Sequence, residues 1–484
     1  MTNGSDPIAL FTLSAKAWPE REALRVAGCS FSYAEMDSWS NSIARSIIDA
    51  GARSERIAFI ADREASSYAT ILGILKAGCS YVPLHPDGPP ARWNSMIERC
   101  GARFAMEHGS IKLPVERSVA LPPIDVVVEP ILIDVHGDQE AYVLFTSGST
   151  GGPKGVSVLR GNVAAYLSHM LSVHDFHERD RFTQFFALTF DLSVHDLFVC
   201  WGSGACLCVP PDDGALRAAQ FVRDERITVW FSVPAHSLMM WRMRSLAPNA
   251  LPSLRCAFFC GEALPWTSAR AFADAAPTSM IINLYGPTET TIAVTSFEVD
   301  RSHTQVGGLV PIGHVFPGHS GIEVDGELCL SGPQVSSGYV NDPLATSNAF
   351  FKLPGSDARW YRTGDRVRID AEGIIHFLGR IDDQVKVLGH RVEPGEVDEV
   401  VSRALEGAIA VTVPMIDGST TRLVTFIDMP SDVDALLEQC RALLPPHMVP
   451  MRIVVLKEMP RTAHGKTDRA RLVELATNGQ TSAS

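Results

Sequence analysis

Apolar and polar positions follow two rhythms along this chain. Short apolar blocks such as Ile57-Ala58-Phe59-Ile60 read as buried strands. Between them lie stretches with the spacing of amphipathic helices, such as residues 33–50, which stop at Gly51. Tyr81-Val82-Pro83-Leu84 reads as another strand, ending in a loop stiffened by Pro86, Pro89 and Pro90. Residues 181–310 repeat the alternation. Phe185 to Ser193 reads as a strand that ends at a helix N-cap, Asp191, and Val229–Val233 and Cys256–Cys260 read as two more strands. Asn283 to Thr291 forms a fourth strand end of this kind. Alternating strands and helices predict a parallel, helix-flanked sheet with ligands at the carboxyl ends of its strands. From about residue 311 the texture changes to short strands such as Glu327–Leu330 between Gly and Pro turns, a β-rich subdomain. A second break falls near Gly379–Asp383. Beyond it, helices at 394–405 and 433–444 and strands at 409–413, 423–427 and 452–456 predict a small α+β domain. The fold class is therefore α/β, with a large N-terminal domain and a small C-terminal one.

One stretch breaks both rhythms. Tyr142-Val143-Leu144-Phe145 reads as a buried strand, and Thr146 to Gly152 follow, all Thr, Ser or Gly. Glycines let backbone approach a ligand, and successive N–H groups with hydroxyls form a concave surface for anionic oxygens. Lys154 adds a compact cation. The common phosphate loop has Gly before its lysine and a Mg²⁺-binding Ser or Thr after it. Here Pro153 precedes Lys154 and Gly155 follows, which argues against an ordinary kinase or ATPase. A flexible linker would not directly follow a buried strand. A nucleoside triphosphate is the expected guest.

Composition narrows the class. At 484 residues, 46% hydrophobic and 20% charged, the chain resembles a globular protein of more than one domain. A formal net charge of −13 argues against a nucleic-acid binder. No apolar run reaches a membrane span, and the N-terminal MTNGSDPIAL lacks the regions of a signal peptide. Ten scattered cysteines without a CxxC pair read as reduced, buried thiols. A cytoplasmic enzyme without nucleic-acid or membrane partners, and a monomer, is the expectation.

Taken together, LKAGCSYVPL, LFTSGSTGGPKG, FDLSVHDLF, NLYGPTETT, GELCLSGPQVSSGY, YRTGD, GRIDDQVKVLGHRVEPGEVDEV and PRTAHGK resemble the AMP-forming adenylating superfamily, in its order. Phe259 to Pro265 and Thr291 to Ser296 are most similar to free-standing D-alanine–carrier-protein ligases. The resemblance implies an N-terminal adenylation core over 1–380, a hinge at 381–384 carrying Asp382, a mobile lid at 385–476 and a disordered tail at 477–484. It implies two half-reactions. A substrate carboxylate attacks the α-phosphorus of ATP, giving an acyl adenylate and pyrophosphate. A phosphopantetheine thiol of a separate carrier protein then attacks the adenylate carbonyl and releases AMP.

The same resemblance assigns residues. Thr146, Ser147, Gly148, Ser149, Thr150, Gly151 and Lys154 would hold the β- and γ-phosphates. Tyr285 would stack on adenine beside Asn283, within a segment that includes Gly286 and Thr288, and Glu289 would bind Mg²⁺. Asp365 would accept from the ribose hydroxyls, with Arg380 nearby. Lys466 would bridge the substrate carboxylate and the phosphate, an electrostatic role. Taken singly, Tyr285 reads better as a core aromatic, Glu289 as a surface charge and Asp365 as a turn residue; the ordered motifs turn the reading toward the nucleotide.

Asp191 reads either as a helix cap or, by resemblance to the amino-acid branch, as the partner of a substrate α-ammonium. Resemblance places Leu192, His195, His236, Phe258, Cys260, Gly261, Leu284, Ile292 and Ala293 around the substrate. His195 and His236 depart from the alanine ligases, and each is equally readable as a satisfied core imidazole. No ligand spacing supports a metal other than Mg²⁺. Bulky walls imply a small amino acid: alanine, serine or similar. The alternatives are a CoA ligase for a small carboxylate and a non-catalytic nucleotide sensor, which would need neither Asp191 nor Lys466. A phosphoryl-transfer NTPase would need the hydroxyl missing after Lys154.

Overall fold

The computed structural model describes the chain except residues 1–4, 108, 110, 127, 132–135, 149–151, 212–216, 303–306, 406–408, 418–419, 462–466 and 479–484. Two units are present. The first comprises Met1–Pro86, Ile97–Leu144 and Gly155–Ile381, and the second Asp87–Met96, Phe145–Lys154 and Asp382–Ser484.

The frame of the first unit is a nine-stranded sheet. Its parallel heart runs Met280–Tyr285, Cys256–Phe259, Val229–Ser232, Arg181–Thr183, Cys206–Cys208 and Glu22–Val26. Antiparallel strands finish both edges, with Thr295–Glu298 beside Met280–Tyr285 and Cys29–Ser32 beside Glu22–Val26. A seven-stranded sheet includes Glu140–Thr146, Ser80–Leu84 and Arg56–Ile60. The β-rich part contains a five-stranded sheet built around the long strand Arg359–Ile369.

Side-chain alternation along the strands of the large sheet sorts residues onto two faces. Phe231, Phe258, Cys260, Ile282 and Leu284 enter the main core, which they share with Tyr81, Tyr142 and Leu144 of the second sheet and with Leu192 and Leu197. Trp230, Ala257, Phe259 and Ile281 enter a separate core on the opposite face, together with Phe272 and Met240. The helix Leu192–Gly202 is buried over its first ten residues, which explains why its sequence is apolar all round.

The expected strand at 185–193 is absent. The strand here is Arg181–Thr183, and the following residues turn, with Phe190 N–H donating to the Ala187 carbonyl at 2.9 Å. Phe186 joins the main core while Phe185 packs on the opposite one. Two adjacent aromatics committed to different cores produced an apolar run without a strand. The cysteines are all free thiols, and only Cys29 is exposed.

The second unit has its own cores. Helix Pro394–Ala404 packs Val397 and Val401 with Leu423, Ile427 and Leu436, and a second cluster holds Val413, Val424 and Phe426 against Leu472. Strands Ala410–Asp417 and Thr420–Ile427 pair antiparallel, and Arg452–Val455 adds parallel to the latter.

Candidate active site

Asp191 stands at the N-cap position of helix Leu192–Gly202, yet its side chain makes no capping bond. It is 4% exposed. Three phenols surround it: burial pushes the Tyr81, Tyr142 and Tyr166 hydroxyls up, and the charge of Asp191 pushes each in the same direction. All three stay protonated. A desolvated carboxylate that does not serve its own helix suits a cationic ligand.

One helical turn on, His195 is fully buried between Phe231 and Phe258, with ring centroids at 4.5 and 5.4 Å. Its Nδ1 lies 2.6 Å from the Tyr166 hydroxyl. Burial, with a smaller push from His174, lowers its pKa to about 3, so the ring is neutral. Leu192, Cys260, Leu284, Ile292 and Ala293 complete this group inside the main core. Gly261 adopts φ +91°, and a Cβ there would meet Val233 Cγ1 at 3.3 Å and Leu192 Cδ1 at 3.5 Å. His236 is placed differently. Its ring meets Phe185 and Trp230 at 4.6 and 5.2 Å, aromatics of the opposite core.

Thr291 and Ile292 are consecutive β-branched residues with φ of 59° and 71°. That region is costly for such side chains, so something must hold them there. Gln334 does. Its amide donates to the carbonyls of Ala293 at 2.7 Å and Thr291 at 2.9 Å, and its own backbone carbonyl accepts from Thr291 Oγ1 at 2.7 Å. Sequence reasoning missed Gln334 as a functional residue, although it lies within GPQVSSGY, because nothing local announces its partners.

The residues assigned to adenosine by resemblance lie where Met280–Tyr285 ends. Asn283 and Leu284 point to opposite faces. Asn283 Nδ2 donates to the Pro311 carbonyl at 2.9 Å, while its buried Oδ1 has no partner among the described residues, an acceptor suited to an exocyclic amine. Asp365 pairs in register with Arg380 across two strands. Its Oδ1 accepts from Arg380 Nη1 at 2.8 Å and its Oδ2 from the Tyr285 hydroxyl at 2.5 Å. Burial and then the Asp365 charge hold that phenol protonated. Gly364 makes this packing possible, since a Cβ there would sit 2.5 Å from Arg380 Nη2. Gly286 similarly lets the chain pass Ala293, whose Cα would be 2.6 Å from an added Cβ. Thr288 opens a single 3₁₀ turn, Thr288–Thr290, that buries Glu289.

Glu289 Oε1 accepts from the Tyr339 hydroxyl at 2.7 Å. Mg²⁺ in nucleotide enzymes is commonly held by one or two carboxylates plus substrate phosphates. A buried carboxylate next to the adenosine segment fits that donor set. Among the described residues, no cluster of three His, Cys, Asp or Glu could hold a metal by itself.

The second unit carries the Thr/Ser/Gly segment. Thr146 ends strand Glu140–Thr146 and Lys154 begins Lys154–Leu159. Gly148 is required by the turn, because a Cβ there would lie 2.1 Å from the Gly152 carbonyl oxygen. The Ser147 hydroxyl donates to the Arg391 carbonyl at 2.6 Å and accepts from Glu393 N–H at 3.1 Å. Asp382 Oδ1 accepts from Gln384 N–H at 3.2 Å. Ser149, Thr150, Gly151 and Lys466 lie outside the described residues. Among the described residues, no helix is long and apolar enough to cross a membrane.

Comparison with known proteins now adds to this geometry. Residues 11–340 match the family described as AMP-binding enzyme. A plipastatin synthase of Bacillus subtilis is 33% identical over 490 residues, covering 95% of this chain but 19% of that protein. The chain thus spans about a fifth of that relative. A D-alanine–D-alanyl carrier protein ligase of Bacillus licheniformis is 30% identical over 443 residues, with 84% of this chain and 87% of that one covered. Among solved structures, the Vibrio cholerae adenylation domain AlmE in complex with glycyl-adenosine-5'-phosphate superposes with a TM-score of 0.85 at 30% identity, covering 97% of each chain. With two-thirds of its length matching the family model, the chain belongs to the AMP-binding enzymes, a family of ATP-dependent, AMP-forming ligases.

Proposed function

We propose that this chain adenylates a small amino acid, alanine, serine or similar, and passes it to the phosphopantetheine thiol of a separate carrier protein. The observation that carries the amino-acid part is Asp191, buried at a helix start without capping it. An α-ammonium is the ligand such a carboxylate suits. Phe258, Leu284 and Ile292 are bulky and buried, and walls of this kind suit a short side chain. The relatives support the same reading, since one is named for loading D-alanine onto a carrier protein and one neighbour is complexed with a glycyl adenylate.

The chemistry follows from the assigned groups. Asn283 and Tyr285 hold the adenosine, and Asp365 with Arg380 holds the ribose side. The Thr/Ser/Gly segment and Lys154 receive the departing pyrophosphate. Mg²⁺, held by Glu289, would supply charge neutralisation at the phosphates. As a substrate carboxylate oxygen bonds to the α-phosphorus, the bond to the pyrophosphate oxygen breaks, and Lys466 offsets the charge that gathers on the oxygens. In the second half-reaction the carrier thiol adds to the adenylate carbonyl, loses its proton and expels AMP.

Substrate-dependent ATP–pyrophosphate exchange across both hands of the small amino acids tests the proposal. Replacing Asp191 with Asn leaves a buried ammonium without its counter-charge, a loss of about 3–5 kcal/mol. Exchange with the cognate amino acid is expected to fall by orders of magnitude, while its des-amino analogue loses little. Equal losses would make Asp191 a structural residue. Loading of a phosphopantetheinylated carrier, compared with free CoA, tests the acceptor.

A further inference from the structure

A second residue outside the assigned set acts on substrate choice. We propose that Tyr166 is a positioning residue that fixes the tautomer of His195, so that His195 presents an Nε2–H donor and selects a short side chain bearing a hydrogen-bond acceptor. The inference deepens the proposed amino-acid pocket and rests on that reading.

The argument is an accounting of buried hydrogens. Tyr166 and His195 are both fully buried. Among the described residues, the phenol makes one hydrogen bond, to His195 Nδ1 at 2.6 Å, and His195 Nε2 is buried without a partner. Two arrangements of the protons are possible. If Nδ1–H donated to the phenol oxygen, the phenol hydrogen would be buried with no acceptor and Nε2 would be an acceptor with no donor. If the phenol donates to Nδ1, only the Nε2–H is left over. Unmade buried hydrogen bonds are costly, so the second arrangement prevails. It needs a neutral imidazole, which burial enforces.

The remaining donor is not placed at random. His195 stands four residues after Asp191 on one helix, so both face the same side. Its ring packs beside Phe258, a wall of the pocket. Of the two histidines that depart from the alanine ligases, His236 packs its ring against Phe185 and Trp230 instead. A hydroxyl on a short side chain would satisfy the orphan Nε2–H, a methyl would leave it buried and unmade, and a cationic side chain would oppose it with a second donor.

The test uses the full chain in ATP–pyrophosphate exchange with serine and alanine of both hands. It compares wild type, Tyr166→Phe, His195→Phe and the double variant. Wild type is expected to favour serine. Tyr166→Phe should lower the serine-to-alanine ratio of kcat/KM about tenfold, mainly through the KM for serine, because Nδ1 loses its donor and the tautomers mix. In the His195→Phe background the same change should leave the ratio where it is. Imidazole ¹⁵N shifts give an independent readout: His195 should be protonated at Nε2 in wild type and mixed in Tyr166→Phe. Thermal melting identifies a variant that fails to fold, and the wild-type ¹⁵N spectrum then decides alone. A wild type that prefers alanine, a ratio unmoved by Tyr166→Phe, or an Nδ1–H tautomer overturns the inference. If no amino acid supports exchange in wild type, the amino-acid reading itself falls, whatever tautomer the spectrum shows.

Discussion

At the scale of single residues, the site depends on groups that satisfy one another across long sequence separations. Gln334 shows what this implies. Its amide holds the carbonyls of Thr291 and Ala293, and with them two β-branched residues at positive φ. Leucine at 334 would take the donor from the Ala293 carbonyl, at roughly 1–3 kcal/mol before relaxation, while the Thr291 carbonyl would keep only the Ala293 N–H at 2.9 Å. The backbone would relieve that by abandoning its strained conformation and moving Ile292 and Ala293. Gln334→Leu is therefore expected to lower stability by about 2–3 kcal/mol in urea titration. It should also raise the KM for the amino acid far more than that for ATP in exchange assays. Asp191 was a candidate from the sequence because FDLSVHDLF stands in an ordered series of motifs, and the structure adds that its side chain makes no capping bond. Tyr166 and Gln334 were not legible. Their partners lie 29 and 41 residues away in the chain, and neither spacing nor local pattern carries such a bond.

Elements were legible where one physical demand governed a whole segment. The helix Tyr33–Asp49 reads from its amphipathic spacing, and Ser32 with Glu35 closes it in a capping box. Val229–Ser232 and Cys256–Phe259 read as strands because both of their faces are covered. The run at 185–193 misled because apolarity there serves two cores without a strand. The segment around helices Arg160–Val173 and Leu192–Gly202 has a consequence for acid stability. Burial lowers the pKa of His169, takes His174 to about 4 and takes His195 to about 3, and lowers that of His319 as well. In the unfolded chain these imidazoles take up protons near pH 6.5. The folded state therefore binds fewer protons than the unfolded state over this window. Stability from these groups is present above about pH 6.5 and is lost as pH falls toward their folded pKa values. Denaturant titrations of wild type and His195→Leu from pH 7 to pH 4 isolate one of them. The wild type should lose stability faster by up to one proton's worth, about 1.4 kcal/mol per pH unit below pH 6. Parallel curves would show that His195 titrates normally in the folded chain.

For the molecule as a whole, the question is how one chain serves two half-reactions with different chemistry. The final passage from the first unit to the second falls between Ile381 and Asp382, directly after Arg380, whose guanidinium is tied to Asp365. Beyond it the second unit has cores of its own, so it can keep its structure while the connection changes its dihedrals. We propose that Asp382 absorbs such a change between adenylation and thiol transfer, and that Lys466 serves the first step alone. The sequence shows a composition break near Gly379–Asp383, but nothing in it speaks to motion, which is a property of two states and not of one packing. Proline at 382 fixes φ near −65° and removes an N–H. If the proposal holds, Asp382→Pro should keep ATP–pyrophosphate exchange within about threefold of wild type while carrier loading falls by more than about tenfold. Lys466→Ala should show the reverse pattern, losing exchange while still transferring from a supplied aminoacyl adenylate. The two lesions act on different steps, so mixing the two variant proteins should restore loading only if an adenylate made by Asp382→Pro can leave it and be used by Lys466→Ala. Measuring exchange, transfer and their sum in the mixture separates a hinge from a general loss of structure. A uniform decline of both half-reactions in Asp382→Pro, with a lowered melting temperature, would mean that this junction is merely part of the fold.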